Sequence, residues 1–392
     1  MVNFVLEETK VTPIRIKAIG VGGGGGKIVG RIASSFQNIE TVAIDTDVQA
    51  LQHCPVSLKV QIGEKITQGI GGAGSDPEKG KYAANEDQEK IKEVLKNTHI
   101  VFIIAGLGGG TGTGASPVVA KIARDMGALV IATVTLPFKW EKRDKQAEIG
   151  MSNLKANVDT LITISNERLH EIVERDTSIR DAFARVDEVV SRSIFAVADL
   201  INKPSHIMDL DFTDIKRVLQ NGGRGIVGTG VSKGEKKTVK ALKAALDDPL
   251  LGEKGIQEAK NILVSIIGSP DLTLQDVVEA MNHINDVAHI QQVAFGLSID
   301  EKMNDEVKVT LIATGIEPGK EPSTRITEKT RQEEGVFGEI EKDVEIPPSW
   351  RRHAQNRETQ GKDSEIFDKE YSTEDMEIPP SMRRKNNENR NL

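Results

Sequence analysis

The sequence is poor in cysteine, aromatic residues and long apolar runs, and each shortage excludes a class of protein. Cys54 is the only cysteine among 392 residues, so an intrachain disulfide is impossible and a reducing compartment is expected. Aromatic residues make up 4%, too few for base stacking, and the net charge of −8 does not attract phosphate backbones. No apolar run reaches the ~20 residues of a membrane span, and Met1–Lys10 lacks a signal-peptide core. We therefore expect a cytoplasmic protein that neither binds nucleic acid nor inserts into a membrane.

Strand-like and helix-like segments alternate along most of the sequence. In the first half, apolar runs predict strands at 14–19, 41–44, 100–105, 129–134 and 161–164. Helical patterns between them predict helices at 86–96, 116–126 and 146–156. This alternation is typical of a parallel sheet covered by helices.

A second α/β unit is predicted after a long central helix at 178–201, which ends before Pro204. Its predicted strands are 226–231, 262–267, 293–297 and 307–313, and its predicted helices are 235–246 and 274–288. The sequence thus predicts an N-terminal extension (1–12), a nucleotide-binding domain (13–177), a central helix (178–203), a smaller domain (204–316) and a tail (317–392).

The tail differs in composition from the rest of the chain. Residues 317–392 hold 18 acidic and 14 basic side chains and few apolar residues, so the segment is predicted to be disordered. It contains one peptide twice, at 344–352 and 376–384, identical at seven of nine positions. In each copy two prolines separate isoleucine from Trp or Met, which favours an extended peptide with apolar anchors for a groove. The repeat predicts bivalent binding to partners.

The first glycine-rich run, 20–26, directly follows the first predicted strand, and the next helix is predicted to begin near Ile28. Glycines at such a junction let the backbone approach a phosphate, and the next helix presents free N–H groups to an anion. Gly20, Gly22 and Gly25 fit the dinucleotide-binding pattern, and Asp45 ends the second strand where such folds place a ribose-binding acid. An NAD(P)-dependent oxidoreductase is therefore one alternative.

The second glycine-rich run, 106–114, favours a nucleoside triphosphate instead. It follows the strand 100–105 and precedes a helix that is predicted to carry Pro117 in its first turn. Glycines and threonines fill 108–114, and they would arrange N–H groups and hydroxyls around a second phosphate. A dinucleotide fold needs one such loop, whereas a triphosphate lying across several strand ends can use more.

Residues 108–114 resemble the signature of the tubulin/FtsZ family, and other stretches resemble its FtsZ branch. Those stretches are 44–47, 69–74, 137–141, 158–162, 181–183 and 209–214. The resemblance implies an α/β fold, in which a tubulin-like nucleotide-binding domain with a Rossmann-like parallel sheet is joined by the central helix to a smaller α/β domain. It also implies a cytoplasmic GTPase that polymerises head to tail and builds the cell-division ring at mid-cell. Its tail peptides would bind regulators and membrane tethers such as FtsA-like proteins.

The resemblance also implies a set of residues that bind GTP. In the two glycine-rich runs and in the stretches 44–47 and 69–74 these are Gly22, Gly23, Gly24, Gly25, Gly26, Lys27, Asp47, Gly72, Ala73, Gly74, Gly106, Gly108, Gly109, Gly110, Thr111, Gly112, Thr113 and Gly114. For the sugar and base they are Pro137, Glu141, Phe183 and Asp187, with Arg143 and Lys145 both candidates for a basic contact. The carboxylate of Asp187 would accept both N–H donors of guanine. Mg²⁺ would bridge phosphates and water, and no metal site made of protein ligands is predicted.

An acidic loop at 209–214 precedes a further predicted helix. Taken alone, its acids have ordinary capping roles, with Asp211 or Thr213 as the N-cap and Asp214 favoured by the helix dipole. The resemblance implies instead that the loop enters the nucleotide pocket of the next subunit, where Asp211 and Asp214 polarise the attacking water. Asp209 adds a third carboxylate where the family usually has Asn. Lys27 and Asp45 also replace Asn, so a GTP-binding scaffold with little hydrolysis is a further alternative.

Overall fold

The computed structural model describes residues 13–36, 38–68, 71–169, 173–174, 176–202, 208, 211–247, 255–288 and 290–316. The predicted N-terminal extension, Asp209, Pro204 and the whole tail with its two peptides lie outside these ranges.

Ten strands of the described chain form a single sheet. They are β1 (Ile16–Val21), β2 (Ile39–Asp45), β3 (Leu58–Gln61), β4 (Ile100–Gly106), β5 (Leu129–Leu136), β6 (Thr160–Ser165), β7 (Gly223–Lys233), β8 (Asn261–Gly268), β9 (Gln292–Ile299) and β10 (Glu306–Ile316). Their order is β3-β2-β1-β4-β5-β6-β7-β10-β8-β9. The strands from β3 to β7 in this order are parallel, whereas β10 is antiparallel to both β7 and β8. The predicted parallel sheet is therefore confirmed.

The helices are α1 (Gly22–Ile32), α2 (Val48–Gln52), α3 (Glu64–Thr67), α4 (Pro77–Glu86), α5 (Gln88–Leu95), α6 (Thr111–Asp125), α7 (Asp144–Lys155), α8 (Ile179–Asn202), α9 (Phe212–Leu219), α10 (Lys237–Leu246) and α11 (Leu274–Val287). The sequence-based prediction lacks β3, α2, α3 and α4. Three of these are very short, but α4 carries the start signals Asp76 as N-cap and Pro77 in the first turn. Among the described residues, no helix is both long and apolar enough to cross a membrane.

The sheet is buried on both faces because helices cover each side. Along β4, Phe102 and Ile104 belong to the core that contains residues of α1 and α8. The alternating residues Val101 and Ile103 belong to the core that contains residues of α5 and α6. A strand covered on both faces has no polar side to present, which is why its sequence is almost continuously apolar.

The second half of the described chain has a core of its own, formed by residues of β7 to β10, α10 and α11. Its strands nevertheless continue the sheet of the first half. The junction is the parallel pairing of β6 with β7, which has three residue pairs, Thr160 with Gly223, Leu161 with Arg224 and Ile162 with Gly225. The central helix α8 contributes Val190 and Ile194 to the core on the α1 face of the sheet.

Candidate nucleotide site

The first glycine-rich run is helical. We predicted a loop with the helix beginning near Ile28, and this is wrong, because α1 begins at Gly22, whose φ is +72°. Close packing explains the glycines: a Cβ on Gly22 would lie 2.5 Å from the backbone nitrogen of Gly112, and one on Gly25 would lie 2.1 Å from the carbonyl oxygen of Ile104. The run therefore brings the N-terminus of α1 against the ends of the central strands, with its first N–H groups free for an anion.

Two neighbouring glycines of α1 give a matched test of this packing. Replacing Gly25 by alanine is expected to lower the free energy of unfolding by about 2 kcal/mol or more, because the new methyl group overlaps the backbone of β4. Replacing Gly26, whose Cβ would meet nothing within 4 Å, is expected to raise it by about 0.5–1 kcal/mol. Urea unfolding without nucleotide measures both. Equal effects of the two substitutions would contradict the packing described here.

The second glycine-rich run divides into a part that borders open space and a packed part. Helix α6 begins at Thr111, so the prediction that Pro117 lies in the first turn is wrong, and Pro117 is the seventh helical residue. The Gly108 N–H donates to Oγ1 of Thr113 over 2.9 Å. A Cβ on Gly114 would lie 1.8 Å from a carbonyl oxygen of α4, whereas one on Gly109 would meet nothing within 4 Å. Gly114 thus serves helix packing, and Gly109 leaves space for a ligand.

A cleft of about 700 Å³ opens beside these runs, at the carboxyl ends of the parallel strands. Open α/β sheets bind ligands at this edge. The cleft is lined by eight of the predicted site residues, Gly24, Lys27, Gly106, Gly109, Pro137, Glu141, Arg143 and Phe183. It is also lined by residues that the sequence-based prediction lacks, namely Ile28, Arg31, Leu107, Thr135, Asn166, Ile179, Arg180 and Val186.

A second cleft of about 530 Å³ adjoins the first, and Lys27 and Arg31 line both. The predicted residues Gly22, Gly23, Gly26 and Asp47 lie here. The turn with Gly72, Ala73 and Gly74 lies close to them: a Cβ on Gly72 would be 3.7 Å from Cβ of Asp47, and one on Gly110 would be 2.8 Å from Cβ of Ala73.

The two candidates for a basic contact lie in different places. Arg143 lines the first cleft, with its Nη1 3.7 Å from Oε2 of Glu141. Lys145 lines a separate groove beside α4 and α6, together with Thr113 and Gly114. Of the two, the structure therefore brings only Arg143 together with Glu141.

One end of the first cleft suits a flat, hydrogen-bonding base. Phe183 is 37% exposed and lies edge-on to Phe138, with ring centroids 6.3 Å apart, so it is not an ordinary core residue. Oδ1 of Asn166 is buried and has no hydrogen-bond partner within the described structure. A buried acceptor without a donor is costly, and an N–H group of a ligand would satisfy it. Asn166 directly follows the carboxyl end of β6, and this position of a polar residue after an apolar strand could have identified it from the sequence.

Asp187 is buried and already paired. Nε of Arg31 donates to its Oδ2 over 2.5 Å, and Nη2 of Arg31 donates to its Oδ1 over 2.8 Å. Hydrogen bonding to Asp187 raises the pKa of Arg31 above its ordinary value. The predicted base-binding carboxylate thus faces the guanidinium of Arg31, which lies on α1 one turn beyond Lys27. The sequence alone did not predict this pairing.

Asp45 ends β2 as predicted and is buried. Its Oδ1 accepts from the backbone N–H groups of Thr46 (2.7 Å) and Asp47 (3.4 Å). Burial raises the pKa of Asp45, and the two backbone hydrogen bonds only partly oppose this. A carboxyl whose pKa is raised by folding costs stability once it ionises, so the penalty grows as the pH rises from about 3.9 through the folded pKa.

Asparagine at position 45 would keep the acceptor without the charge. Asp45→Asn is therefore expected to increase the free energy of unfolding at pH 7, with a smaller gain at about pH 4, where the raised pKa of Asp45 keeps more of the folded chain than of the unfolded chain protonated. Urea unfolding of both proteins without nucleotide at the two pH values measures the difference. A gain that does not depend on pH would show that the charge of Asp45 is not the cause.

The described part of the acidic loop, 211–214, lies at the amino-terminal ends of the central strands. Asp211 is the N-cap of α9, and its Oδ1 accepts from the Asp214 N–H over 2.8 Å, which confirms the predicted capping role. Phe212 lies 6.4 Å, ring to ring, from His99, which directly precedes β4, whereas the cleft lies at the carboxyl end of β4. The seven residues of β4 separate its two ends by roughly 20 Å. The acids therefore cannot reach the cleft of their own subunit.

Comparison with known proteins matches this architecture. A family model described as the Tubulin/FtsZ family, GTPase domain, matches residues 15–174, and one described as the FtsZ family, C-terminal domain, matches residues 223–317. An empty FtsZ dimer from M. jannaschii is 38% identical, with a TM-score of 0.70 over 79% of this chain and 90% of that chain. The chain belongs to the FtsZ family. CetZ2 from Haloferax volcanii, solved as a GTPgS-bound protofilament, is 23% identical (TM-score 0.65, 78% and 94% coverage) and shares the fold.

Membership of the FtsZ family establishes a tubulin-like GTPase and excludes the NAD(P)-dependent alternative. The protein side chains do not supply a metal site of their own in the part of the chain that the structure describes. Across those ranges, no three His, Cys, Asp or Glu residues form a group that could hold a metal ion.

Proposed function

We propose that this chain assembles head to tail into filaments and hydrolyses GTP where the acidic loop of one subunit meets the nucleotide of the next. One observation carries the proposal: the cleft lies at the carboxyl ends of the central strands, and the acids Asp211 and Asp214 lie at their amino-terminal ends. Within the described residues of one subunit, the nucleotide cleft and the two acids are therefore apart, and in this proposal a second copy of the chain brings its acids to the cleft. In the same proposal, the filaments build the division ring in the cytoplasm at mid-cell.

Within the cleft, the base lies between Phe183 and Asn166. Its hydrogen-bonding edge faces Asp187, which lies behind the cleft surface and is covered by Arg31. The ribose lies beside Glu141 and Arg143, which approach each other to 3.7 Å. The phosphates lie against the N-terminus of α1 and the part of the second glycine-rich run that lines the cleft, where N–H groups and the helix dipole favour negative charge. Mg²⁺, bound with the triphosphate, would neutralise part of its charge.

The acids of the neighbouring subunit act on water. Asp211 and Asp214 are not buried, so the carboxylates of both are accessible to accept a hydrogen bond from the attacking water molecule. Holding that water in line with the terminal phosphate is the main task of such a residue, because phosphoryl transfer depends chiefly on positioning and charge stabilisation. Separating the acids from the nucleotide makes hydrolysis depend on assembly.

The rate of GTP hydrolysis as a function of protein concentration tests this, with Mg²⁺ present and light scattering recorded in parallel. The rate per subunit is expected to be near zero below a threshold and to rise together with scattering. Hydrolysis independent of concentration would mean that one chain holds the whole site and would overturn the shared mechanism. Scattering without hydrolysis would favour the scaffold alternative, which the charged residues Lys27, Asp45 and Asp209 motivate.

The two tail peptides, 344–352 and 376–384, are proposed to bind membrane tethers and regulators such as FtsA-like proteins. Their identical Ile-Pro-Pro-Ser core and paired arginines favour recognition by one kind of groove. Two copies on one chain raise avidity for a surface that carries several grooves. Deleting one copy should then weaken binding to a multivalent partner surface by more than it weakens binding to a single partner molecule.

A further inference from the structure

Arg31 lies on the ridge between two clefts and covers the carboxylate that the proposed function assigns to guanine. We propose that Arg31 is a removable cap on Asp187, which guanine displaces on binding and which recaptures the carboxylate as the nucleotide leaves. Arg31 would thus act as a built-in competitor that speeds nucleotide release. This inference rests on the proposed function, because it requires that the base of GTP binds at Asp187.

The hydrogen-bond pattern makes the competition direct. Arg31 donates through Nε and Nη2 to the two oxygens of Asp187, which is the bidentate arrangement of a guanidinium on a carboxylate. Guanine presents N1–H and the N2 amine side by side, and with the carbon between them these atoms form the same chemical fragment as a guanidinium. Two such fragments cannot occupy one face of a carboxylate. Guanine must therefore replace Arg31, one donor for one donor.

The surroundings of Arg31 permit the exchange. Its side chain is 47% exposed, whereas that of Asp187 is 10% exposed, so the arginine is the mobile partner and the carboxylate is the fixed one. Ion pairs with a solvent-exposed member are weak and can be broken at small cost. The adjoining cleft, of about 530 Å³, offers space for the released guanidinium beside the carboxylate of Asp47. Asp187 is never left bare, because one bidentate donor replaces the other.

The exchange also distinguishes bases. Adenine presents one donor and one acceptor on the corresponding edge, so it cannot replace both hydrogen bonds from Arg31. An adenine base would have to bind while Arg31 stays on Asp187, and it would gain nothing from the carboxylate. The cap therefore adds to selectivity against adenine while it lowers the affinity for guanine.

The test measures how fast labelled GDP leaves the full-length chain when an excess of unlabelled GDP is added. In Arg31→Met the competitor is gone, and release is expected to be about fivefold slower, the effect of a weak ion pair. Lys27→Met is the matched control, because it removes one positive charge from the same helix, one turn away, and the hydrogen bonds to Asp187 come from Arg31. Its release is expected to be faster, since a cation near the phosphates is lost.

Arg31→Lys provides a second variant that keeps the charge but cannot form the bidentate pair. Its release of GDP is expected to be slower than that of the native chain, by a smaller factor than in Arg31→Met. Unchanged or faster release from both Arg31 variants would overturn the cap and make Arg31 an ordinary nucleotide ligand. Absence of GDP binding by the native chain would instead overturn the proposed function, and the cap with it.

Discussion

A chain with both Asp211→Asn and Asp214→Asn is expected to bind GTP and assemble but to hydrolyse it at least about 100-fold more slowly, the usual loss when a catalytic base is removed. Asparagine is as good an N-cap as aspartate. The hydrogen bond from the backbone N–H of residue 214 to the side chain of residue 211, which caps the start of α9, is therefore retained. The substitutions remove charge without removing the fold of the loop. Phosphate release and sedimentation of filaments measure the two properties separately.

Loss of assembly in the same variant would mean that the acids hold the interface together, and the catalytic role would then lack support. Arg217→Met is a suitable control, because Nη2 of Arg217 lies 3.5 Å from Oδ1 of Asp214 and its side chain is 64% exposed. This pair is a surface ion pair of small energy, so its loss is expected to change hydrolysis less than either carboxylate substitution does.

Gly109→Asp is expected to weaken GTP binding by about 100-fold or more while leaving the fold intact. Gly109 lines the cleft, its φ is not in the left-handed region, and a Cβ there would meet nothing within 4 Å. The new carboxylate would lie where the phosphates are proposed to bind, and close like charges cost several kcal/mol. Equilibrium binding of labelled GTP measures the loss, and Gly109→Ala, which adds no charge, is expected to bind GTP with nearly native affinity.

Mixing the two defective chains gives a sharper result than either alone. Subunits with Gly109→Asp keep their acids but lack nucleotide, and subunits with Asp211→Asn and Asp214→Asn keep nucleotide but lack acids. If the active site is shared, the mixture is expected to hydrolyse GTP, because each chain supplies what the other lacks. A mixture as inactive as its components would place the whole site within one chain.

Much of the fold was predictable because its sequence signals are local. The run at β4 predicted a strand buried on both faces, and the spacing of apolar residues in α8 predicted a helix of the correct length within one residue at each end. The glycines of α1 led to a wrong prediction, because glycine usually breaks helices. Here α1 approaches β4 so closely that a Cβ on Gly25 would lie 2.1 Å from the carbonyl oxygen of Ile104, which makes glycine necessary. That contact joins residues far apart in sequence, so no local pattern reveals it.

The candidate site was only partly predictable for a similar reason. The glycine-rich runs, Glu141 and Phe183 were identified from motifs and the resemblance. The structure places Glu141, Phe183 and part of both runs around the first cleft, and Gly22, Gly23 and Gly26 in the adjoining one. Arg31 and Asn166 were missed because their roles depend on the folded structure. Arg31 pairs with a carboxylate 156 positions later in the chain. Asn166 is a candidate because folding buries its side-chain oxygen without a hydrogen-bond donor. The acidic loop shows the opposite case, since the capping role visible in the sequence is real and does not preclude catalysis.

The distance between the cleft and the acids on one sheet has a consequence for filament length. In the proposed head-to-tail filament, one end would be a subunit whose nucleotide meets no acids, and the other end a subunit whose acids meet no nucleotide. A filament therefore contains one fewer working site than it has subunits, so a dimer works at half capacity and a long filament approaches full capacity. Under the shared-site proposal, the nucleotide at one tip would be protected from hydrolysis because no neighbour follows it, and the two tips would be chemically different throughout growth.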